Sequence, residues 1–183
     1  QAQMIYEHII TTHPYSHVPH LSLDTKTLKV AESTHMFTTG RGDCGTQSML
    51  FSAFCRSLGI PARATGGYQM ILHDAPSPHF WAEYHLPGYG WVPVDPTVAE
   101  GADWFDVPEE DRIAYQRYYG TNIDPTRMVI QKNVDANVEP DYPKDAAIFR
   151  VVRQYPAIVS DTSMQDMELM AMGSFRIDLV EKN

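Results

Sequence analysis

The stretch GRGDCGTQSMLFSAFCRSLGIPAR, residues 40–63, decides the fold that we predict for this chain. Apolar residues recur at helical spacing through its second half. Asp43 is a suitable N-cap, which puts Cys44 in the first turn of the helix. Gly59, followed by Ile-Pro, is a typical helix C-terminus. The sequence therefore predicts a helix over residues 44–58 that begins at a cysteine.

A second stretch, HFWAEYHLPGYGWVPVDPT at residues 79–97, has the pattern of a β-hairpin. Two runs rich in aromatic and branched residues flank the turn sequence PGYG. If the turn is centred on its Pro-Gly pair, His79 lies opposite or diagonal to Asp95. Directly opposite residues have Cβ atoms ~5 Å apart, a separation at which a carboxylate can hold an imidazole N–H.

Cysteine, histidine and aspartate in this order can supply a thiolate nucleophile, its proton partner and an orienting carboxylate. A helix N-terminus stabilises negative charge, so the predicted helix favours a thiolate at Cys44. The backbone N–H of Cys44 is a candidate donor to an oxyanion, because first-turn N–H groups have no acceptor within a helix. The candidate catalytic residues are therefore Cys44, His79 and Asp95.

Weaker patterns predict the remaining elements, and no repeat or linker divides the chain. We expect one domain over residues 1–183, with its core motifs at about 40–97 and an extension at about 100–183. The further predicted elements are a helix over residues 1–11, a short helix around Lys29–Met36, a strand over 62–72 that is broken or bulged at Gly66-Gly67, a helix over Glu109–Tyr119, and strands at Met128–Ile130, Ile148–Val152 and Phe175–Val180.

Composition excludes several classes of function. The chain has 183 residues, of which 43 % are hydrophobic and 20 % are charged, and this composition is typical of one folded domain. Its net charge of −9, with scattered Lys and Arg, argues against nucleic acid and anionic membrane surfaces as partners. No apolar run approaches the ~20 residues that span a bilayer. We expect no cofactor and no metal, because the histidines lack the spacing of a zinc motif.

The two cysteines are expected to remain unpaired. Cys44 and Cys55 are separated by about 16 Å of helix rise, which is too far for a disulfide. Unpaired thiols fit the cytoplasm, or a secreted or periplasmic enzyme with one active and one buried cysteine. Because the chain starts at Gln1, inside helix-like sequence, we expect a fragment or a processed form, and a removed signal peptide leaves the compartment open.

The motif blocks also carry a family resemblance. G-x-C, R-x-x-G-I-P-A-R, H-x-W-x-E and G-W-x-x-x-D occur in this order between residues 40 and 97. This part resembles the core of the transglutaminase-like superfamily, in particular its bacterial cysteine peptidase and acyltransferase domains. The stretch from Tyr118 to Asp124, followed by Arg127-Met128, resembles the C-terminal extension of bacterial members, although its motif is less specific.

The resemblance implies an α+β, papain-like fold in which a nucleophile-bearing helix packs on an antiparallel sheet. It also implies acyl transfer through a thioester, with Cys44 as nucleophile, His79 as general acid and base, and Asp95 as orienter. The expected substrates are peptide or protein amides, cell-wall peptides among them, and hydrolysis is the first choice. The alternatives are a catalytically silent protein- or glycan-binding module and an assembly domain of a longer polypeptide.

Other residues are candidates for lining the cleft or for completing the oxyanion site. The second oxyanion donor is an open assignment for which Tyr15 and Gln47 are candidates. Phe80 departs from the small residue that many relatives have before the Trp, and we expect it to shape the pocket. Trp81 is expected in the core or the site wall. Glu83 is expected to be structural and paired with an arginine such as Arg63.

Overall fold

The protein is described by a computed structural model that covers residues 1–18, 30–69 and 77–132, together with the backbone of 147–149 and 158–160. The helices in this part of the chain are α1 (Ala2–Thr12), α2 (Glu32–Thr39), α3 (Cys44–Ser57), α4 (Pro96–Glu100) and α5 (Arg112–Tyr119). The strands are β1 (Ala62–Gln69), β2 (Ser77–Leu86), β3 (Gly90–Val94), β4 (Arg127–Gln131), β5 (Ala147–Phe149) and β6 (Ile158–Ser160). Single 3₁₀ turns at Gly101–Asp103 and Glu109–Asp111 precede α5.

Four antiparallel strands form the main sheet in the order β3-β2-β1-β4, while β5 and β6 pair with each other. In the β2–β3 hairpin Ala82 pairs with Val94, which is a register within the predicted range. The pairing of β1 with β4 shifts between Gly66 and Gly67, so the predicted irregularity is confirmed. A side chain at Gly67 would put its Cβ 2.0 Å from the carbonyl oxygen of Met128, so this close approach of the strands requires glycine.

Helix α3 packs against β1 and β2, and their contact forms the core. Phe51 and Cys55 of α3 are fully buried and belong to one apolar cluster with Ala82 and Val94 of the hairpin. Tyr6 of α1 joins the same cluster. The expected α+β class, with helices packed on an antiparallel sheet, is confirmed.

Most predicted boundaries agree with the structure. The helix predicted over 44–58 ends at Ser57, and Gly59 has φ 75°, as expected for a residue that stops a helix. The helix predicted over Glu109–Tyr119 is a 3₁₀ turn followed by α5, and the strand predicted at Met128–Ile130 lies within β4.

One predicted helix is displaced, one helix was not predicted, and three predicted strands lie wholly or partly outside the described residues. The short helix expected around Lys29–Met36 occurs later, as α2 (Glu32–Thr39). Gly40 follows α2 with φ 71° and stops the helix. Helix α4 was not predicted, because its only local signal is a capping Asp before Pro. The strand predicted at Phe175–Val180 lies outside the described residues. The same is true of the last part of two other predicted strands, namely residues 150–152 of Ile148–Val152 and residues 70–72 of 62–72.

Candidate active site

Cys44 is the first residue of α3 and is 6 % exposed. The Asp43 carboxylate accepts a hydrogen bond from the backbone N–H of Thr46 at 3.0 Å, which caps the helix as predicted. Gly42 is required in the preceding loop, because a Cβ there would lie 2.0 Å from Oγ1 of Thr46. The cap and the glycine therefore fix Cys44 at a helix N-terminus, where the partial positive charge of the helix favours an anion.

His79 and Asp95 meet across the hairpin. Nε2 of His79 lies 2.8 Å from Oδ2 of Asp95, and the two side chains are 3 % and 0 % exposed. Asp95 directly follows β3, and the pairing of Ala82 with Val94 makes it the diagonal neighbour of His79. The approach expected from the hairpin sequence is therefore present in the structure.

Asp95 is ionised and held at both oxygens. Oδ1 accepts the backbone N–H of Val98 at 3.0 Å, so Asp95 also caps α4. Oδ2 also forms an ion pair with Arg127, whose Nη1 lies 2.7 Å away. Burial alone would raise the pKa of Asp95, but the charge and hydrogen bond of His79, then Arg127 and the Val98 N–H, lower it to about 2.

His79 also interacts with Cys44. Burial alone would lower the pKa of His79, but the charges of Asp95 and Cys44 and hydrogen bonds to both side chains raise it to about 9. Because Nε2 contacts Asp95, Nδ1 is the ring nitrogen left to face the sulfur. The raised pKa favours the imidazolium form of His79 at neutral pH, in which Nε2–H donates to the Asp95 carboxylate.

A cavity of about 140 Å³ opens beside these groups. It is lined by Cys44 and His79, by Gln69 at the end of β1, and by the aromatic side chains of Tyr15, Trp104 and Phe105. The ring centroids of Tyr15 and Trp104 are 5.3 Å apart in an edge-to-face arrangement. Cys44 therefore lies in the wall of a small cavity that also contains three aromatic side chains.

Gln69 brings an unused acceptor to this cavity. The residue is 4 % exposed, and its Oε1 has no hydrogen-bond partner within the described part of the chain. A buried amide oxygen without a partner is costly, so its presence at a cavity indicates a position where a ligand donates a hydrogen bond.

Tyr15 lies in the cavity wall, whereas Gln47 is turned away from it. Nε2 of Gln47 donates to the His13 carbonyl at 3.0 Å and to Glu100 at 2.7 Å, and its Oε1 accepts from Thr97 at 2.5 Å. The amide donors of Gln47 are thus directed into the protein, and the structure does not bring them to Cys44.

Glu100 ties Tyr15 to this interior network. Its Oε2 accepts the backbone N–H of Tyr15 at 2.8 Å, while its Oε1 accepts from Gln47. Burial raises the pKa of Glu100 to about 7, and the hydrogen bonds from Tyr15 and Gln47 lower it in part. Burial, with the charges of Cys44 and Asp43, also raises the pKa of Tyr15, so its phenol keeps its proton and can donate.

Phe80 and Trp81 lie behind the reacting groups, away from the cavity wall. Phe80 is 1 % exposed and packs with Cys44 and Ala64 in a small apolar cluster. Trp81 is fully buried, and its ring stacks at 26° on His79 with centroids 6.3 Å apart. Both therefore act on the site by packing, which for Phe80 differs from the expected role in shaping the pocket.

The second cysteine and the predicted ion pair are as expected. Cys55 is fully buried, and burial raises the pKa of its thiol to about 11. Neither Cys44 nor Cys55 forms a disulfide. Nη2 of Arg63 lies 2.6 Å from Oε2 of Glu83, so the predicted pair is present.

The predicted site residues did not include Arg127, Asp124, Gln69 and Glu100. Arg127 and Asp124 lie in the stretch that resembles the bacterial extension, which was the available signal for them. Within the ranges that the structure describes, no group of three or more His, Cys, Asp or Glu side chains is arranged to hold a metal ion. Over those same ranges no helix is long and apolar enough to cross a membrane.

Comparison with known proteins agrees with the geometry. The profile of the Transglutaminase-like superfamily core matches residues 1–96. A protein-glutamine gamma-glutamyltransferase of Pseudomonas aeruginosa is 35 % identical over 94 residues, which make up 46 % of this chain and 14 % of that protein. The chain thus matches about one seventh of the length of this curated relative.

Two solved structures are similar over part of the chain. One is a Cytophaga hutchinsonii protein provisionally named a cysteine protease, with 26 % identity, a TM-score of 0.42, and coverage of 52 % of this chain and 30 % of that one. The other is the periplasmic domain of TgpA from Pseudomonas aeruginosa, with 23 % identity, a TM-score of 0.40, and coverage of 65 % and 42 %.

The chain has an α+β fold in which a cysteine at a helix N-terminus lies near a histidine–aspartate pair, as in cysteine-dependent enzymes. The superfamily match covers more than half of the chain, and the protein belongs to the transglutaminase-like superfamily. Members of this superfamily are generally cysteine-dependent enzymes that act on protein and peptide amides.

Proposed function

We propose that the protein is a cysteine-dependent acyl-transfer enzyme that hydrolyses peptide-like amides. Cys44 is the nucleophile, His79 the general acid and base, and Asp95 the orienting carboxylate. The observation that supports this proposal is the His79–Asp95 pair at 2.8 Å, with His79 and Cys44 lining the same cavity and the charge of Cys44 acting on His79.

In the first half-reaction the Cys44 sulfur attacks the amide carbonyl carbon. The carbonyl oxygen becomes an oxyanion, which the backbone N–H of Cys44 can stabilise because Cys44 lies at the positive end of α3. The Tyr15 phenol is our second donor, since it lies in the cavity wall and keeps its proton. Nδ1–H of His79 protonates the leaving nitrogen, the C–N bond breaks, and a thioester remains.

In the second half-reaction neutral His79 accepts a proton from water, and the hydroxide oxygen attacks the thioester carbonyl. The C–S bond breaks, which releases a carboxylic acid and returns Cys44 to the thiolate. Asp95 keeps the ring oriented in both steps and stabilises the imidazolium.

The cavity supports an amide as the substrate. Gln69 offers a buried oxygen with no partner among the described residues, and the N–H of an amide or a carboxamide is the complementary group. The aromatic wall of Tyr15 and Trp104 suits an uncharged group beside the reacting carbonyl.

Substitution of the nucleophile tests the proposal. We expect Cys44→Ala to abolish amide hydrolysis in a screen of peptide and cell-wall peptide amides, with the melting temperature retained. Cys55→Ala removes the other thiol and is the matched control, which should keep turnover per folded molecule. Full activity of Cys44→Ala on a substrate that the wild type cleaves would exclude the mechanism.

A second measurement needs no substrate. Iodoacetamide should alkylate Cys44 faster in the wild type than in folded His79→Gln protein at the same pH, because the charge of the His79 imidazolium favours the thiolate. Equal alkylation rates in the two proteins would favour the silent binding module instead.

The substrate screen also tests whether water or an amine accepts the acyl group from the thioester. The Pseudomonas aeruginosa relative is named a glutamyltransferase, so transfer to an amine is the competing outcome. Adding a primary amine to glutamine-containing peptides distinguishes the two reactions by mass. Carboxylate products at millimolar amine support hydrolysis, whereas amine adducts as the main product would assign transamidation.

A further inference from the structure

Arg127 reaches the site from outside the part that matches the family. We propose that Arg127 is a positioning residue that holds the Asp95 carboxylate in line with His79, and that Asp124 holds Arg127 in turn. The inference rests on the proposed function and extends the active site to residues 124–127, beyond the family-matched residues 1–96.

The contacts of Arg127 divide between two carboxylates. Nη1 lies 2.7 Å from Oδ2 of Asp95, while Nε and Nη2 lie 2.8 and 2.6 Å from Oδ2 of Asp124. The Arg127 side chain is 3 % exposed, so water does not compete for these bonds. Asp124 is itself fixed by the backbone N–H of Thr126 at 3.2 Å and by its hydroxyl at 2.5 Å. The planar guanidinium thus bridges a fixed carboxylate to the catalytic one.

The bridge determines where Asp95 can point. Its Oδ2 contacts Nε2 of His79 and forms an ion pair with Nη1 of Arg127, and its Oδ1 accepts the Val98 N–H. A carboxylate with donors at both oxygens cannot rotate away from the imidazole. Trp81 supports the same arrangement, because its ring lies 5.4 Å from the Arg127 guanidinium and stacks on His79.

The charges along this row alternate. Imidazolium, carboxylate, guanidinium and carboxylate follow one another through His79, Asp95, Arg127 and Asp124. Burial of one unpaired carboxylate would be costly, and Arg127 offsets that cost for Asp95. Asp124 in turn balances the cation, so that Arg127 does not cancel the attraction between Asp95 and His79.

Three tyrosines interact electrostatically with Asp95, namely Tyr6 on α1 with Tyr115 and Tyr119 on α5, and burial raises the pKa of all three. Glu100 on α4 has a pKa raised to about 7, and its charge acts on Tyr6 together with that of Asp95. Cys44 is another charged group acting on His79. These groups are unchanged in Arg127 variants, so a difference from the wild type in the protonation of Asp95 reports on Arg127.

Three variants separate charge from geometry. Arg127→Gln removes the cation, Arg127→Lys keeps a cation without the planar fork, and Asp124→Asn removes the residue that anchors Arg127. Arg63→Gln is the matched control, because it breaks an arginine–carboxylate pair of equal length elsewhere in the same sheet. Circular dichroism and melting curves give the folded fraction to which each rate is referred.

We expect Arg127→Gln to lower kcat by about 10–100-fold with KM changed by less than about twofold, because Arg127 acts on the proton relay and not on substrate. The pH below which kcat falls should rise by about one unit, since Asp95 loses a cation that lowers its pKa. Arg127→Lys should keep the wild-type acid limit with a smaller loss of kcat. Asp124→Asn should lower kcat without raising KM, and Arg63→Gln should match the wild type.

Alkylation of Cys44 separates this inference from the proposed function, because it needs no substrate. We expect folded Arg127→Gln protein to react more slowly than Arg63→Gln protein at pH 6, since a misaligned His79 stabilises the thiolate less well. Equal alkylation rates and equal kcat in the two variants would overturn the inference, even if Cys44→Ala is inactive. If Arg127→Gln does not fold, the same comparison between Arg127→Lys and Arg63→Lys decides it.

Discussion

Gln69 and Thr65 are two buried polar residues of β1 whose side-chain oxygens have no partner in the described ranges. Only Gln69 lines the cavity beside Cys44. An unpartnered acceptor in the interior destabilises a fold, whereas the same acceptor in a binding site is satisfied by substrate. We therefore expect Gln69 to contact substrate, whereas the unpartnered hydroxyl of Thr65 is expected only to reduce stability.

We expect Gln69→Leu to raise KM about tenfold, the loss of one hydrogen bond of about 1.4 kcal/mol, with kcat nearly unchanged. The melting temperature should stay equal or rise, because the unpartnered oxygen is removed. Thr65→Val is the control, which should likewise preserve stability but leave KM unaltered. Steady-state kinetics and thermal melts measure both, and an unchanged KM in Gln69→Leu would remove Gln69 from the binding site.

At the residue scale the sequence indicated the candidate catalytic residues but not the residues that contact them. Cys44, His79 and Asp95 lie in short motifs whose local structure, a helix start and a hairpin, follows from their own sequence. Arg127 and Asp95 are about thirty residues apart in the sequence, and no periodicity or spacing in the sequence predicts their contact. Gln69 gave no signal either, because its importance depends on the absence of a partner.

Helix α3 shows how an element depends on its first residues. Its N-cap Asp43 is 5 % exposed, and its side chain accepts the Thr46 N–H at 3.0 Å. The N-cap of α5, Asp111, is exposed and makes no such side-chain bond. The two helices therefore form a natural pair for measuring what the cap contributes.

We expect Asp43→Ala to lower the free energy of unfolding by about 1 kcal/mol, within a range of about 0.5–2 kcal/mol. Asp111→Ala should change it by less than about 0.5 kcal/mol, since no cap bond is lost. Urea denaturation followed by circular dichroism measures both. Equal effects of the two substitutions would show that the Asp43 cap does not stabilise α3.

At the element scale the predictions that agree with the structure share a local cause. The α3 helix has a cap, an apolar stripe and a glycine stop, and the hairpin has two strand-like runs around PGYG. Helix α4 was missed because five residues carry no periodicity and its stability comes from Asp95 and the core around Val98. The early placement of α2 has the same origin, since its eight residues include one Glu and four β-branched or hydroxyl side chains with no apolar stripe.

On the scale of the whole molecule, two networks join distant parts of the chain. Glu100 links the Tyr15 segment to α3 through Gln47, and Asp95 links the hairpin to β4 through Arg127. Such contacts depend on the assembled fold, and the sequence could not specify them. The single domain over residues 1–183 stays a prediction, which one calorimetric transition of the whole chain would support.

The buried ionisable groups also fix how stability depends on pH. Asp95 has a folded pKa of about 2 against an ordinary value of 3.8, so its contribution is present above pH 3.8 and is lost as pH falls towards 2. Glu100 is raised from 4.5 to about 7, so its contribution is complete below pH 4.5 and is lost as pH rises to 7. His79 is raised from 6.5 to about 9, and its contribution disappears between those values.

Burial lowers the pKa of His13 from 6.5, which opposes the Glu100 decline below pH 6.5, so the clearest expected change is a decline in stability from pH 6.5 to about 9. Urea midpoints measured at intervals from pH 4 to 9 test this directly. Glu100→Gln should flatten the part of the curve between pH 4.5 and 7 and leave the decline above it, whereas His79→Gln should flatten the part between 6.5 and 9. If the decline in stability came instead from the overall net charge of −9, stability would depend on pH in both variants as it does in the wild type. A wild-type midpoint that rises between pH 6.5 and 9 would contradict a raised pKa at His79 and, with it, the imidazolium on which the proposed mechanism depends.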